Sequence, residues 1–159
     1  MNNLPRIGIG FDSHRMEAGR PCRLGGVEFE CEFGPVGHSD ADAVLHALCD
    51  ALLGAAGLDD LGTTFPDSDP EWKDADSRQF LSATMGCIEE CKLAVYSCDL
   101  VVVCDYPKIS PKRNQIKAFL SKELKLPLDR VNIKGKTTEG GDGERIEVTA
   151  VALLGPSGS

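Results

Sequence analysis

Residues 6–14 read Arg-Ile-Gly-Ile-Gly-Phe-Asp-Ser-His, an alternation of apolar side chains with arginine and glycine that leads into an acidic residue and a histidine. The alternation over residues 6–11 predicts a first β-strand that delivers Asp12 and His14 at its carboxyl end. Because a strand turns alternate side chains to one face, Asp12 and His14 converge on one point while Ser13 points away from it.

A helix further along the chain carries a third residue of interest, His46. The pattern predicts this helix over residues 39–57, with Ser39 as its N-cap and Asp42 completing an arrangement close to a capping box. At about 100° per residue, His46 falls with Asp42 and Asp50 on a polar stripe roughly 150° from the apolar face. The stripe is either a solvated face or a ligand-bearing one, and the two polar residues of the strand favour the second interpretation.

Two imidazoles and one carboxylate are a donor set that a zinc-like ion takes, and three protein ligands leave one coordination position free for chemistry. We therefore predict that Asp12, His14 and His46 bind one Zn²⁺ per chain. The free position indicates a metal that takes part in a reaction, and not one that only stabilises the fold.

The rest of the pattern predicts one α+β domain over residues 1–155, followed by a flexible tail at residues 156–159. We expect a single mixed β-sheet with helices on one face, in which the last two strands form an antiparallel pair. The predicted elements are a strand at 6–11, a hairpin at 23–32, helices at 39–57, 76–92 and 111–124, a loop at 58–75, and strands at 96–104, 130–136 and 145–154.

Composition limits the function classes. The formal net charge is -8, and no basic stripe exists to replace phosphate counterions, which argues against nucleic acid as a partner. The seven cysteines are odd in number and lack Cys-x-x-Cys spacing, so we expect reduced thiols in the cytoplasm. No apolar run approaches the roughly 20 residues needed to cross a bilayer, and the first residues lack a signal composition, so no membrane partner is expected.

Three further segments carry polar side chains that suit a role in binding, and the first two of them have a second interpretation. His38 and Ser39 precede the predicted helix, where they either hold a phosphate beside the first-turn amides or form an N-cap beside a turn histidine. The acidic stretch over residues 59–69 either offers carboxylates to substrate hydroxyls or a second cation, or is a solvated loop. Residues 136–139 offer an ammonium, two hydroxyls and a carboxylate that suit a magnesium diphosphate, a weak signal when taken alone.

A series of motifs occurs in one order along the chain. They are Gly10-Phe-Asp-Ser-His14, His38-Ser-Asp-Ala-Asp-Ala-Val-Leu-His46-Ala-Leu48, Asp50-Ala-Leu-Leu-Gly-Ala-Ala-Gly57, Asp60-Leu-Gly62, Phe65-Pro-Asp-Ser-Asp69, Pro107-Lys108, Thr137-Thr-Glu139 and Ala150-Val-Ala-Leu-Leu154. Together, from about residue 6 to residue 154, they closely resemble the 2-C-methyl-D-erythritol 2,4-cyclodiphosphate synthase family.

The resemblance implies an α+β homotrimer whose sheets face the central axis, with three active sites at subunit boundaries. It implies a phosphorus–oxygen lyase of the non-mevalonate isoprenoid pathway. Such an enzyme converts 4-diphosphocytidyl-2-C-methyl-D-erythritol 2-phosphate into the cyclodiphosphate and releases CMP. The 2-phosphate of the substrate attacks the β-phosphorus, so that no protein nucleophile is needed.

The resemblance also implies roles for single residues. It makes the three predicted ligands the zinc site, with Asp12 and His14 also at the substrate, and it places Glu139 near a Mg²⁺ or Mn²⁺ ion and the substrate. His38 and Thr137 match catalytic positions that stabilise the transition state. The other implied substrate contacts are Ser39, Asp60, Leu61, Gly62, Phe65, Pro66, Asp67, Ser68, Asp69, Cys104, Pro107, Lys108, Lys136 and Thr138.

The segment after Glu139 departs from the family pattern. Gly140-Gly-Asp-Gly-Glu-Arg145 is several positions shorter than the usual segment and lacks its aromatic residue, which lines the central cavity of the trimer. Arg145 stands in a different register from the usual arginine near phosphate.

Two other functions stay open: a zinc-dependent hydrolase of a small phosphorylated metabolite, whose metal carries water, and a metal-stabilised trimeric binding protein without turnover.

Overall fold

Two long strands, one near each end of the chain, lie side by side in the main sheet. The computed structural model describes residues 3–37 and 40–158. Its strands are β1 (Arg6–Ala18), β2 (Cys22–Leu24), β3 (Val27–Phe29), β4 (Phe33–Pro35), β5 (Leu93–Val103), β6 (Val131–Lys136) and β7 (Arg145–Pro156). Its helices are α1 (Ala43–Ala55), α2 (Leu61–Thr64), α3 (Ser77–Glu90) and α4 (Arg113–Leu124), with 3-10 turns at Ser110–Lys112 and Leu128–Arg130.

The main sheet has five strands in the order β4-β1-β7-β5-β6, and β2 pairs with β3 in a separate hairpin. β5 and β6 run parallel, whereas β7 pairs antiparallel with both β1 and β5. The expected mixed sheet of an α+β domain is confirmed. The expectation that the last two strands pair with each other is wrong. The crossover through α4 places β6 on the outer side of β5, so that β7 occupies the position between β5 and β1.

The helices pack on one face of the sheet, as the sequence predicts, and α1 lies directly against β1. A Cβ atom added to Gly8 would lie 2.0 Å from the carbonyl oxygen of Ala51, and one added to Gly10 would lie 1.9 Å from that of Ala47. The missing side chains let the helix rest on the main chain of the strand. The buried side of β7 completes the core beneath the same helix.

β1 is longer than the predicted strand. It continues to Ala18 because β7, and then β4, pair with its second half. Asp12 and His14 therefore lie in the interior of a strand. The prediction that they lie at the carboxyl end of the strand is wrong. Pairing on the β7 side holds the main chain at both residues in place.

α1 begins later than the predicted helix, and its N-cap is Asp42. The prediction of Ser39 as the N-cap is therefore wrong, and Ser39 itself lies outside the described residues. The Asp42 carboxylate also accepts hydrogen bonds from the amides of Gly25 and Gly26, at 2.9 and 2.8 Å, in the turn of the predicted hairpin. Asp42 is fully buried and not part of a polar stripe, because it caps the helix and binds the turn at once.

One loop and the end of the chain hold more regular structure than the sequence indicated. The predicted loop over residues 58–75 contains the short helix α2. At the chain end, β7 runs through Pro156, which pairs with Leu93, and the amide of Ser157 donates to the carbonyl oxygen of Lys92 at 3.0 Å. The segment predicted as a tail from residue 156 is thus attached to the sheet at its start.

The face of the sheet opposite the helices carries large exposed apolar side chains, which we call the open face. Ile7 and Ile9 are 73% and 72% exposed, Phe11 is 55% exposed and Val151 is 37% exposed. The first three alternate along β1 with the residues that face α1, so they form one row. None of the helices in the described part of the chain is long and apolar enough to cross a membrane.

Candidate metal centre

Asp12, His14 and His46 come together between β1 and α1. One oxygen or nitrogen atom of each side chain lies within 4.8 Å of the others. The Oδ2 atom of Asp12 is 2.7 Å from Nε2 of His14 and 3.4 Å from Nδ1 of His46, and the two ring centroids are 5.8 Å apart. All three side chains are partly buried. The predicted convergence of these residues is confirmed.

Strand periodicity and the glycine contact together explain this convergence. Gly8 and Gly10 face α1, and the next two residues on that face of β1 are the acidic residue and the histidine of the site. The close approach of the helix at the glycines brings His46 within reach of them. Ser13 points to the other face, as predicted, where its hydroxyl oxygen accepts a hydrogen bond from the guanidinium of Arg145.

The outer nitrogen of each imidazole has a hydrogen-bond partner of its own. His14 Nδ1 lies 2.8 Å from the carbonyl oxygen of Val36. That oxygen only accepts, so Nδ1 carries a proton and Nε2 faces the carboxylate. His46 Nε2 lies 3.0 Å from the hydroxyl oxygen of Ser77, which is also hydrogen-bonded to Asp40. Each ring therefore turns one nitrogen towards the centre of the site.

The charges of the site favour an ionised carboxylate. Burial raises the pKa of Asp12, but hydrogen bonds from His14 and His46 outweigh this effect, and the pKa falls from 3.8 to about 2. The hydrogen bond to Asp12 raises the pKa of His14 above its ordinary value, against the opposing effect of burial. A divalent cation would be bound by the same inner nitrogens and carboxylate, and its binding would displace any proton held between them.

The residues present fit a divalent metal ion. Two imidazole nitrogens and one carboxylate oxygen face a common point, and the other nitrogen of each ring is hydrogen-bonded, as is usual for histidine ligands. Three protein ligands leave a position open to a substrate atom.

The short helix α2 is attached next to this site. The amide of Leu61 donates to the carboxylate of Asp50 on α1 at 2.8 Å, and the amide of Thr63 donates to Asp60 at 2.9 Å. Asp50 lies one turn beyond His46 on α1 and is partly buried. The predicted substrate segment that begins with Asp60, Leu61 and Gly62 is thus placed close to the candidate ligands.

A group of aromatic rings links the next part of that segment to the candidate ligand His46. Phe65 is buried, and its ring centroid is 4.7 Å from that of Trp72. Both rings contact Phe80 of α3, which meets His46 edge-on at 6.2 Å. The remaining predicted contacts follow in the same loop, with Pro66 partly buried and Asp67, Ser68 and Asp69 exposed.

A second group of predicted residues lines a small cavity of about 80 Å³ at the ends of β5 and β6. Its lining includes Cys104, Pro107, Lys108, Lys136 and Thr137, and it includes none of the three candidate ligands. Burial raises the pKa of Cys104 to about 11, so the thiol stays protonated at neutral pH. Within one chain, the two halves of the predicted site therefore lie in different places.

Thr138 and Glu139 border this cavity without lining it. Both the amide and the hydroxyl of Thr138 donate to Asp105, at 3.0 and 2.9 Å, which holds the turn after β6 against the end of β5. Glu139 has a positive φ of 54° and is exposed. Its amide donates to the hydroxyl oxygen of Thr137 at 3.2 Å.

Some relevant residues escaped sequence reasoning. Asp40, Ser77, Val36 and Asp105 all bond candidate site residues, yet none lies in a periodic pattern with its partner. Near Ser77 the sequence predicts only the start of a helix, at residue 76, and no contact with His46. His38 and Ser39, predicted at the substrate, lie outside the described residues.

The structure thus places a candidate metal site of three side chains between a strand of a mixed sheet and a helix. Residues 5–155 match the model of the family described as the YgbB family. The chain is 49% identical over 135 residues to a 2-C-methyl-D-erythritol 2,4-cyclodiphosphate synthase of Aquifex aeolicus (strain VF5), covering 85% of this chain and 86% of that relative. It is 44% identical over 153 residues to the synthase of the same name from Burkholderia mallei (strain SAVP1), covering 94% of each.

The comparison of structures agrees with the comparison of sequences. A solved structure of 2C-methyl-D-erythritol-2,4-cyclodiphosphate synthase in its CDP-bound form superimposes with a TM-score of 0.91 at 43% identity, covering 94% of this chain and 99% of the other. The chain belongs to the YgbB family.

Proposed function

We propose that this protein converts 4-diphosphocytidyl-2-C-methyl-D-erythritol 2-phosphate into 2-C-methyl-D-erythritol 2,4-cyclodiphosphate and CMP, as a phosphorus–oxygen lyase of isoprenoid precursor synthesis. One observation carries the proposal: Asp12, His14 and His46 converge in a chain that is 49% identical to a synthase of that name. A hydrolase of phosphorylated metabolites gains no support, since the relatives described above are named as synthases.

The three ligands would hold Zn²⁺ and leave it a free position. When bound, the ion would neutralise charge on an oxygen of the diphosphate. The chain's own groups would supply the rest: Lys108 and Lys136 have ammonium groups at the small cavity, and Thr137 has a hydroxyl there. Glu139 would help to hold a Mg²⁺ or Mn²⁺ ion at the diphosphate. Charge neutralisation and positioning are what a phosphoryl transfer requires.

The reaction needs no nucleophile from the protein. An oxygen of the substrate's 2-phosphate forms a bond to the β-phosphorus, and the bond from that phosphorus to the oxygen shared with CMP breaks, so that CMP leaves with the electron pair. Burial supports this assignment because it raises the pKa of Cys104 to about 11 and those of Cys22 and Cys49 to about 12. These thiols are protonated and poorly nucleophilic at neutral pH.

The proposed substrate contacts divide between two groups. We propose that Asp60, Leu61, Gly62 and the loop after Phe65 contact the erythritol part, which their place beside the metal ligands supports. The cavity residues would contact cytidine and diphosphate, and a CDP-bound relative of the same fold supports a cytidine diphosphate ligand. His38 and Ser39 are kept as proposed catalytic and phosphate-binding residues on sequence grounds alone.

We propose a homotrimer with one active site at each subunit boundary. The open face of the sheet supports this, because Ile7, Ile9 and Phe11 would otherwise stay in water. The separation of the small cavity from the metal ligands within one chain also supports it, since a neighbouring subunit would bring the two halves together. In such an arrangement the open faces meet at the central axis.

We also propose that the protein acts in the cytoplasm. All seven cysteines are free, and burial raises the pKa of Cys98, like those of Cys22 and Cys49, to about 12. Many unpaired thiols are typical of proteins from reducing compartments.

The direct test is incubation of the purified protein with the cytidine diphosphate-linked substrate, with and without a chelator. Phosphorus NMR and CMP release are followed together. A cyclic diphosphate with one CMP per turnover, abolished by the chelator and restored by Zn²⁺, is the expected result. Linear hydrolysis products would instead indicate the hydrolase, and tight binding without turnover would indicate a binding protein.

A further inference from the structure

We propose that Ser77 and Asp40 are positioning residues for the metal site, which fix the orientation and the proton of His46 so that its Nδ1 atom is free to bind a metal ion. The inference rests on the proposed metal site. Neither residue belongs to the ligand set, and both act through His46.

Ser77 is the first residue of α3, and its side chain is fully buried between that helix and α1. Its hydroxyl oxygen lies 3.0 Å from Nε2 of His46 and is also hydrogen-bonded to Oδ1 of Asp40. The Ser77 amide donates to the other oxygen of Asp40 at 3.3 Å. The serine is thus held to one carboxylate through two hydrogen bonds, and its hydroxyl cannot rotate freely.

The direction of the proton follows from what each group can donate. The carboxylate of Asp40 only accepts, and a serine hydroxyl has one hydrogen. That hydrogen therefore points to Asp40, and the hydroxyl oxygen is left to accept from His46. For this to happen Nε2 of His46 must carry a hydrogen, which leaves the lone pair of a neutral ring on Nδ1. Nδ1 is the atom that faces Asp12, at 3.4 Å.

His14 shows the same arrangement with a simpler partner. Its outer nitrogen is bonded to the carbonyl oxygen of Val36 at 2.8 Å, which leaves Nε2 directed at Asp12. Both imidazoles of the site therefore have the outer nitrogen occupied and the inner nitrogen turned to the same carboxylate. Partners of this kind fix the ring and raise the basicity of a ligating histidine.

A purely structural interpretation predicts something different. Asp40 also accepts from the amide of Asp42 at 3.2 Å and could serve only to join the starts of α1 and α3. Loss of Ser77 would then lower stability and leave metal affinity and the His46 tautomer as they were. The two interpretations are separated by measurements on the imidazole and on the metal.

The first measurement compares metal affinity in Ser77→Ala and Ser82→Ala. Ser82 lies on the same helix and is exposed, so it controls for the loss of a serine hydroxyl from α3. Zn²⁺ and Co²⁺ affinities are obtained by competition with a chromophoric chelator. We expect Ser77→Ala to bind both ions about 10-fold to 100-fold more weakly and to change the visible absorption of bound Co²⁺. Ser82→Ala should match the wild type in both.

The second measurement determines the tautomer of the His46 imidazole in the metal-free protein. The chain has three histidines, so nitrogen-15 NMR of the imidazoles at alkaline pH has few signals to assign. The Nε2-protonated form of His46 should dominate in the wild type and lose that dominance in Ser77→Ala. His14 should keep its Nδ1 proton in both proteins, because the carbonyl oxygen of Val36 is unchanged.

A pair of Asp40 variants covers the case in which Ser77→Ala does not fold. Asp40→Asn keeps an acceptor oxygen for the Ser77 hydroxyl, whereas Asp40→Ala removes it, so the second should weaken metal binding more than the first. Equal affinity and an unchanged His46 tautomer in Ser77→Ala, or in Asp40→Ala if that variant alone folds, would overturn the inference and leave the metal site standing. A wild type that binds neither Zn²⁺ nor Co²⁺ would overturn the proposed metal site together with it.

Discussion

Asp12 and Asp42 have the same functional group, and their pKa values shift in opposite directions. Asp12 is partly buried beside the imidazoles of His14 and His46, and its pKa falls to about 2. Asp42 is fully buried among main-chain amides, where burial raises its pKa to about 6 although the amides of Gly25, Gly26 and Leu45 act against this. The extent of burial makes the difference, because Asp12 is only partly removed from water whereas Asp42 is completely removed from it.

The first prediction concerns His46. His46→Ala removes one of two imidazoles, and a site with a carboxylate and one histidine binds Zn²⁺ too weakly to retain it on purification. Metal analysis should fall from about one zinc per chain to near zero. His38→Ala is the contrast, since we expect it to lower turnover far more than zinc content. Unchanged zinc in His46→Ala would contradict the assignment of the ligands.

The second prediction concerns the pH dependence of stability at Asp42. The folded-state pKa of about 6 lies above the value of 3.8 for the unfolded chain, so the unfolded chain loses this proton first as pH rises. The contribution of Asp42 to the free energy of unfolding should therefore fall between pH 4 and pH 6, by about 3 kcal/mol at most.

Denaturant unfolding of the wild type and Asp42→Asn at pH 4 and pH 7 measures this contribution. The stability lost on substitution should be larger at pH 4 than at pH 7. A loss that grows with pH would mean that the amides of Gly25 and Gly26 outweigh burial, and that the pKa of Asp42 is lowered.

At the scale of the elements, the contact between β1 and α1 has no side chains at its closest points. Gly10→Ala would put a methyl carbon 1.9 Å from the carbonyl oxygen of Ala47, so the helix would have to move. We expect a loss of at least about 3 kcal/mol in the free energy of unfolding, with weaker zinc binding because His46 moves with α1.

Gly86→Ala is the matched control for this glycine substitution. Gly86 lies in the exposed part of α3, with nothing within 4 Å of an added Cβ atom. Alanine there should raise the free energy of unfolding by about 0.5–1 kcal/mol. Denaturant unfolding of both variants gives opposite signs if the close contact is real, and a neutral Gly10→Ala would contradict it.

Local periodicity predicted most of the elements and the convergence of the three candidate ligands. Alternation along β1 placed Asp12 and His14 on one face, and the helical repeat placed His46 away from the apolar side of α1. These inferences succeeded because each depends on neighbours within one element.

Contacts between distant parts of the chain explain the errors. The helical wheel assigned Asp42 to a polar stripe, whereas Gly25 and Gly26 in a remote hairpin turn bury it. The strand order failed at β6 and β7 for the same reason, because pairing partners are chosen by the whole sheet. The bond between Ser77 and His46 joins two helices and leaves no periodic trace.

At the scale of the whole molecule, the open face predicts the assembly. Ile9→Lys puts a charge in the row of exposed apolar side chains, and burying that charge between subunits is unfavourable. Sedimentation should show a mass near three chains for the wild type and near one for the variant. Leu128→Lys is the control, because Leu128 is 54% exposed but lies on a 3-10 turn outside the sheet. A trimeric Ile9→Lys protein, or a monomeric wild type, would refute the assignment of this face.

Shared active sites predict complementation between inactive variants. His46→Ala lacks a metal ligand, and Thr137→Ala lacks a hydroxyl at the small cavity. If the two halves of a site come from neighbouring subunits, trimers refolded from an equal mixture should contain intact sites at about one quarter of all boundaries. Assay of CMP release should therefore recover about that fraction of wild-type activity. Activity no higher than that of either variant alone would place both halves of a site in one chain.

The main-chain contact at Gly8 and Gly10 limits movement between β1 and α1, which carry the candidate ligands. In most contacts between a helix and a sheet, side chains lie between the two main chains and can change rotamer. Here the main chains of β1 and α1 are in direct contact, so no side chain can adjust between them. We therefore expect the spacing between the candidate ligands of β1 and the candidate ligand of α1 to be fixed, so that sliding of one element along the other would not adapt the site to ions of different radius.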